Sequence, residues 1–167
     1  MIDDIHNGLQ RRLQLSNGTA CELVNFQQSH LDDIYALECE ANPFPWSKRN
    51  FVDSIASSHI CTGVKIGDQW IAQAVFSIAS GDAEILIISV DPKWQGQGVA
   101  SQLLDTMCEI LEDYAAEIFL EVRESNEAAI RLYEKCGFNC LGIRPNYYPR
   151  KKGREDAHIY GKSLRIG

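Results

Sequence analysis

No stretch of this sequence is apolar for long enough to span a bilayer, and residues 1–14 carry no apolar core of the kind a signal peptide needs. A soluble, cytoplasmic protein is the expectation. The six cysteines, Cys21, Cys39, Cys61, Cys108, Cys136 and Cys140, form no CxxC pair and have no histidine companions at zinc-finger spacing. They are expected as reduced thiols, mostly buried, with no metal site. Basic charge is in the minority, 16 Lys and Arg against 23 Asp and Glu for a net charge of −7, which argues against general nucleic-acid binding. Such a balance suits a basic or amine partner, and it also serves solubility alone. The chain has neither the Lys-Ser/Thr ending of a P-loop nor the three-glycine spacing of a dinucleotide turn, which disfavours a nucleotide-binding α/β module.

With 167 residues and 45% hydrophobic content, the chain can bury a proper core as one domain. Residues 1–18 are polar and without clear periodicity, so they are expected as an N-terminal extension to a single domain over 19–167. The organising stretch runs from Glu84 to Tyr114. Ile85, Leu86, Ile87, Ile88 and Val90 read as a β-strand ended by Asp91-Pro92. From Gly98 the spacing turns helical, with Leu103, Leu104, Met107, Ile110 and Leu111 on one face. The loop Gln95-Gly96-Gln97-Gly98-Val99-Ala100 therefore enters a helix N-terminus, where unpaired N–H groups and the helix dipole suit a phosphate. A helix start with two flexible residues is the plainer reading of the same glycines.

Around this centre the pattern is β-αα-βββ-α-β-α-ββ. Thr19 to Phe26 reads as a strand, and Ser29 is a candidate cap for a helix that ends near Asn42-Pro43. The loop Asn42-Pro43-Phe44-Pro45-Trp46-Ser47 is stiffened by two prolines, and Ser47 caps the next helix. Its aromatics either plug the core edge or form a pocket wall. Ile60 to Ile66 and Trp70 to Ala79 are paired strands. Ile118 to Val122 is a further strand in which Glu121 stands among apolar neighbours, either on an exposed face or held for chemistry. Asn126 starts a helix with Gly137 at its end, and Asn126 and Tyr133 are two turns apart on one face. Phe138 to Ile143 and Asp156 to Lys162 close the chain as strands, with Tyr147, Tyr148 and a basic run between them.

The segments VDPKWQGQGVASQLL, LEVRESNEAAIRLYEKCGF and RPNYYPRKKGREDA, with the NPFPWS loop, resemble the GCN5-related N-acetyltransferase (GNAT) family from about Thr19 to Leu164. The resemblance implies an α/β fold with a mixed, mostly antiparallel sheet flanked by helices, and acetyl-CoA as co-substrate at splayed central strands. It places the pantetheine arm on Ile88, Ser89 and Val90 and the pyrophosphate on Gly96, Gln97, Gly98, Val99, Ala100 and Ser101. Asn126 is implied as a further cofactor contact, Glu121 as general base and Tyr133 as general acid. Apart from the resemblance, the proline-flanked aromatics Phe44, Trp46, Tyr147 and Tyr148 are the candidate acceptor-side residues. Ala100 stands where the family often has glycine, and Ser101 where a basic residue often follows, so backbone amides are expected to carry more of the phosphate binding. The motifs further imply an acceptor of one kind, the N-terminal alanine of a small-subunit ribosomal protein. Another amine, or a non-catalytic CoA-binding role, is the alternative.

The residue chemistry agrees with these implied roles. An α-amine with pKa near 8 is roughly a few hundred-fold easier to present neutral at pH 7 than a lysine near 10.4, so one carboxylate suffices as base. Apolar neighbours would raise the pKa of Glu121 into the range of a working base. A tyrosine hydroxyl can then protonate the leaving thiolate, and no cysteine nucleophile is required.

Overall fold

The apolar strand Asp82–Val90 is shared between two cores, with Ile85 and Val90 in one and Ile87 in the other. In the computed structural model, which describes residues 1–165, this strand (β5) is central to an eight-stranded sheet. The sheet is ordered β1-β2-β3-β4-β5-β6-β8-β7, with β1 Arg11–Gln14, β2 Ala20–Asn25, β3 Ile60–Ile66, β4 Gln69–Ala79, β6 Glu117–Arg123, β7 Asn139–Pro149 and β8 Arg154–Ser163. Every neighbouring pair is antiparallel except β5 and β6. That single parallel pair needs a crossover, and helix α4 (Val99–Leu111) supplies it.

Helix α4 buries Leu103, Leu104, Met107 and Leu111 in one core with Ile85 and Val90 of β5 and Leu120 and Val122 of β6. Helices α1 (Ile2–Gly8) and α5 (Glu127–Lys135) contribute to the same core, through Ile5 and Tyr133. A second core holds Ile34 of α2 (Leu31–Ala41) and Phe51 of α3 (Lys48–Ala56) against Val75 of β4 and Ile87 of β5. Helix α3 starts where expected: the Ser47 hydroxyl accepts from the Asn50 N–H at 3.1 Å, and Asn50 answers through the Ser47 N–H at 2.9 Å.

Three expectations change. Residues 2–14 are not a loose extension: they form α1 and strand β1, with Ile5 and Leu9 fully buried and Leu13 and Leu15 nearly so. The apolar spacing is real but spread over a helix of 7 residues and a strand of 4, too short for either period to show above polar neighbours. Ser29 does not cap α2; a 3₁₀ turn over Gln28–His30 precedes that helix, and the His30 ring nitrogen Nδ1 accepts from the Gln27 N–H at 2.9 Å. Residues 144–149 belong to β7 rather than to a loop. Register shifts between Arg144 and Tyr148, with Asn146 at φ 51°, interrupt the alternation by which a strand is read.

Candidate active site

Parallel pairing of β5 with β6 begins at Asp82 opposite Glu117 and stops at Ile85 opposite Leu120. Beyond that point the two strands part, and residues 88–90 of β5 pair only with β4, through Ala72↔Val90, Gln73↔Ser89 and Ala74↔Ile88. Their outward backbone groups face the opening. Helix α4 points its N-terminus into the same place: Gly98 is its N-cap residue at φ 82°, and no side chain caps its first turn. A non-glycine residue would be strained at Gly98 and at Gly96, φ 77°. The result is a crevice of about 810 Å³ between the parted strands.

Most of the residues expected at a cofactor site line this crevice. Ile88, Ser89 and Val90 form one side, Gly96, Gly98, Val99, Ala100 and Ser101 one end, and Asn126 and Tyr133 the opposite side. Asn126 is the N-cap of α5 and accepts from the Ala129 N–H at 3.2 Å. Gln97 is turned elsewhere: its amide nitrogen donates to the Lys93 carbonyl at 3.2 Å and its oxygen accepts from Asn17 at 3.2 Å. Gln95 braces the loop from below by donating to the Val90 carbonyl at 3.1 Å. Arg131 and Lys135 of α5 also line the crevice and were not anticipated. The signal was present as two cations at i, i+4 spacing on a helix with Asn126 as its cap.

On the acceptor side the four aromatics separate. Phe44 lines the crevice, while Trp46 packs edge-on against Phe51 at 5.1 Å and is a core plug. Tyr147 and Tyr148 meet edge to face at 4.9 Å on β7. What joins these elements is Arg123, a residue sequence reasoning passed over. Its guanidinium lies 3.7 Å from the Phe44 ring and 4.5 Å from the Tyr148 ring, donates to the Pro149 carbonyl at 2.8 Å and stands 3.6 Å from Glu155. Glu155 in turn accepts from the Ser125 hydroxyl at 2.6 Å, and that bond is the first cause of its lowered pKa.

Glu121 is on the β6 face opposite Leu120 and Val122, half-buried rather than in bulk solvent, two residues before Arg123. Its setting is not the apolar one expected. Arg144 of β7 holds the carboxylate at 2.8 Å, and the side chain does not itself line the crevice. Glu84 of β5 feels it too: burial first, and then the Glu121 charge, raise the pKa of Glu84. Burial also pushes Tyr148 up to about 12, with the charge of Glu121 as the next cause. Tyr133 is raised further, by burial and then by Tyr148. Tyr133, which lines the crevice, is thus a phenol that stays protonated at neutral pH.

Residues 31–138 match the Acetyltransferase (GNAT) family. The chain belongs to that family. This GNAT protein is 38% identical over 138 residues to the [ribosomal protein bS18]-alanine N-acetyltransferase of Escherichia coli K12, covering 82% of this chain and 93% of the relative. The enzyme of the same name from Haemophilus ducreyi is 34% identical over 128 residues, covering 75% and 88%. The crystal structure of the ribosomal-protein-S18-alanine N-acetyltransferase from E. coli superposes with a TM-score of 0.82 at 34% identity, covering 88% of this chain and 96% of the other. Arabidopsis thaliana Naa50 in complex with the bisubstrate analogue CoA-Ac-MVNAL shares the fold, with a TM-score of 0.74 at 24% identity over 86% of this chain and 98% of that one. As a GNAT N-acetyltransferase, the protein uses acetyl-CoA as co-substrate. The crevice fits it, with unpaired strand edges for an amide-bearing arm, an uncapped helix N-terminus for the diphosphate, and Arg131 and Lys135 where Ser101 offers no charge.

Proposed function

We propose that this protein acetylates a free α-amine, the N-terminal alanine of a small-subunit ribosomal protein, in the cytoplasm. The observation that carries the reading is the crevice itself: β5 and β6 part beyond Ile85, the uncapped N-terminus of α4 enters the gap, and Tyr133 lines it, with Glu121 held by Arg144 on the neighbouring strand β6. The relatives that share most of its length carry that acceptor in their names, and a net charge of −7 suits a basic ribosomal partner.

Acetyl-CoA supplies the acetyl group as an activated thioester. Glu121 takes the ammonium proton of the acceptor, a task within reach of one carboxylate because an α-amine ionises near pH 8. Arg144 fixes the orientation of that carboxylate at 2.8 Å. The neutral amine then attacks the thioester carbonyl carbon and the C–S bond breaks. Tyr133, kept neutral by burial, donates its phenolic proton to the departing thiolate, and the second proton shed by the new amide nitrogen restores the phenol through solvent. Asn126 shapes the start of α5 so that this tyrosine faces the crevice two turns later.

The test is transfer to a peptide with a free N-terminal alanine, with a blocked-terminus lysine peptide as control. Glu121→Gln and Tyr133→Phe should each lower kcat by roughly 10²-fold or more, the usual worth of a placed acid or base, with acetyl-CoA affinity little changed. Undiminished rates in both variants would remove the residue roles. Preference for the lysine peptide would remove the acceptor.

A further inference from the structure

Glu38 of α2 is a carboxyl with no solvent exposure that the chemistry above does not use. It closes the Asn42–Trp46 loop from both ends. Its backbone carbonyl accepts from the Asn42 N–H at 2.9 Å, and its side-chain Oε2 accepts from the Trp46 N–H at 2.9 Å. Between those two anchors sits Phe44, whose own N–H is held by the Asn42 side chain at 3.0 Å and whose ring stacks on Arg123 at 3.7 Å. Asn42, Pro43 and Phe44 all line the crevice. A single residue thus fixes the part of the acceptor wall that α2 and α3 contribute.

Ordinary loop closure does not ask for a buried carboxyl, since a serine or asparagine can accept the same N–H at less cost. The second oxygen, Oε1, makes no hydrogen bond at all. Beside this carboxyl, the buried Gln73 donates to the Ser89 hydroxyl at 2.9 Å, and Ser89 is a crevice residue. The groups that act on the Glu38 carboxyl are the Trp46 N–H and the side chains of Ser89 from β5 and Asn42 from the loop, none of them charged or titrating near neutrality. Burial, opposed by these three, pushes Glu38 up to about 7.

We propose that Glu38 is a positioning residue for the acceptor, a clamp that holds residues 42–46 rigid and so sets how tightly the crevice grips the acceptor's first residues. The clamp is stronger when the carboxyl is ionised, because a charged acceptor binds the Trp46 N–H about twice as strongly as a neutral one. Acceptor affinity therefore tightens as pH rises through about 7. The identity of the acceptor rests on the function proposed above, but the clamp itself does not.

Two measurements test it on the full chain. In steady-state transfer to the N-terminal alanine peptide, Glu38→Ala should raise the peptide KM by about tenfold, the loss of one hydrogen bond to a charged group. The KM for acetyl-CoA should stay within about twofold, and Glu38→Gln, whose amide oxygen still accepts from Trp46, should recover most of the loss. The Gln variant should also lack the component of the peptide KM profile centred near pH 7 that the wild type has. Backbone amide exchange reads the clamp without any acceptor: the amides of Phe44 and Trp46, the two between which Pro45 has none, should exchange about tenfold faster in Glu38→Ala, with β5 unchanged. Equal rises in both KM values, a Gln variant as poor as the Ala variant, or unaltered exchange at Phe44 and Trp46 would overturn the clamp. Absence of transfer to the peptide by the wild type would overturn the acceptor assignment instead, and the exchange result would still decide the clamp.

Discussion

Single side chains at this site are defined more by their partners than by their type. Glu121 was conspicuous in the sequence as a carboxylate in an apolar strand, yet the residue that governs it, Arg144, lies in a segment that reads as a basic turn. Glu38 recurs in the sequence at helical spacing with Leu31, Ile34 and Leu37 but with no function attached, because a glutamate on an amphipathic helix is ordinarily solvated, and only the fold buries it completely. Its raised pKa has a consequence for stability. A carboxyl whose folded pKa lies near 7, above the ordinary value near 4.5, binds its proton more tightly in the folded state, so the folded state loses stability as pH rises from about 4.5 to about 7. Glu38→Gln removes that dependence. Urea denaturation should find the Gln variant gaining on the wild type from pH 5 to pH 8, by an amount on the order of 2–3 kcal/mol if the whole shift is realised. A constant difference across that range would show that Glu38 does not titrate in the folded protein.

At the scale of elements, the strand–loop–helix unit from β5 to α4 was legible because its three parts use different periods in sequence: alternation, glycine punctuation, then helical spacing. The splay beside it is implied by the family resemblance but by no local pattern of residues. It depends on where β6 stops pairing with β5, and pairing is a property of two strands. The glycine that starts α4 carries a definite cost of replacement. Gly98 sits at φ 82°, and a Cβ there would meet only the Ser16 hydroxyl, at an ordinary 3.6 Å. The strain in Gly98→Ala is therefore in the backbone, roughly 1–2 kcal/mol for a residue in the left-handed region. Thermal melting should fall accordingly, and calorimetry should find acetyl-CoA binding weakened as the first-turn N–H groups shift. Unchanged melting and affinity would mean that the loop relaxes to another path at no cost.

For the whole molecule, the largest departure from the sequence reading is the first eighteen residues. They cover the α4 side of the sheet with Ile5 and Leu9, extend the sheet by β1, and lay Asn17 against Gln97 of the glycine loop before α4 at 3.2 Å. Ile5→Ala should cost about 2–5 kcal/mol, the usual loss for a fully buried aliphatic truncated to alanine, measured by chemical denaturation; a loss under about 0.5 kcal/mol would return the segment to the status of an appendage. From sequence alone came the order of elements, the glycine turn into α4, the Asn126–Tyr133 face and the family itself, all of which rest on short-range patterns. Only the tertiary structure decided that Arg123 and Arg144 bridge strands to aromatics and carboxylate, that Glu38 is buried, and that the N-terminal residues complete the core. Those facts depend on which distant segments meet, and a contact between residues far apart in the chain leaves no period in the sequence from which to read it.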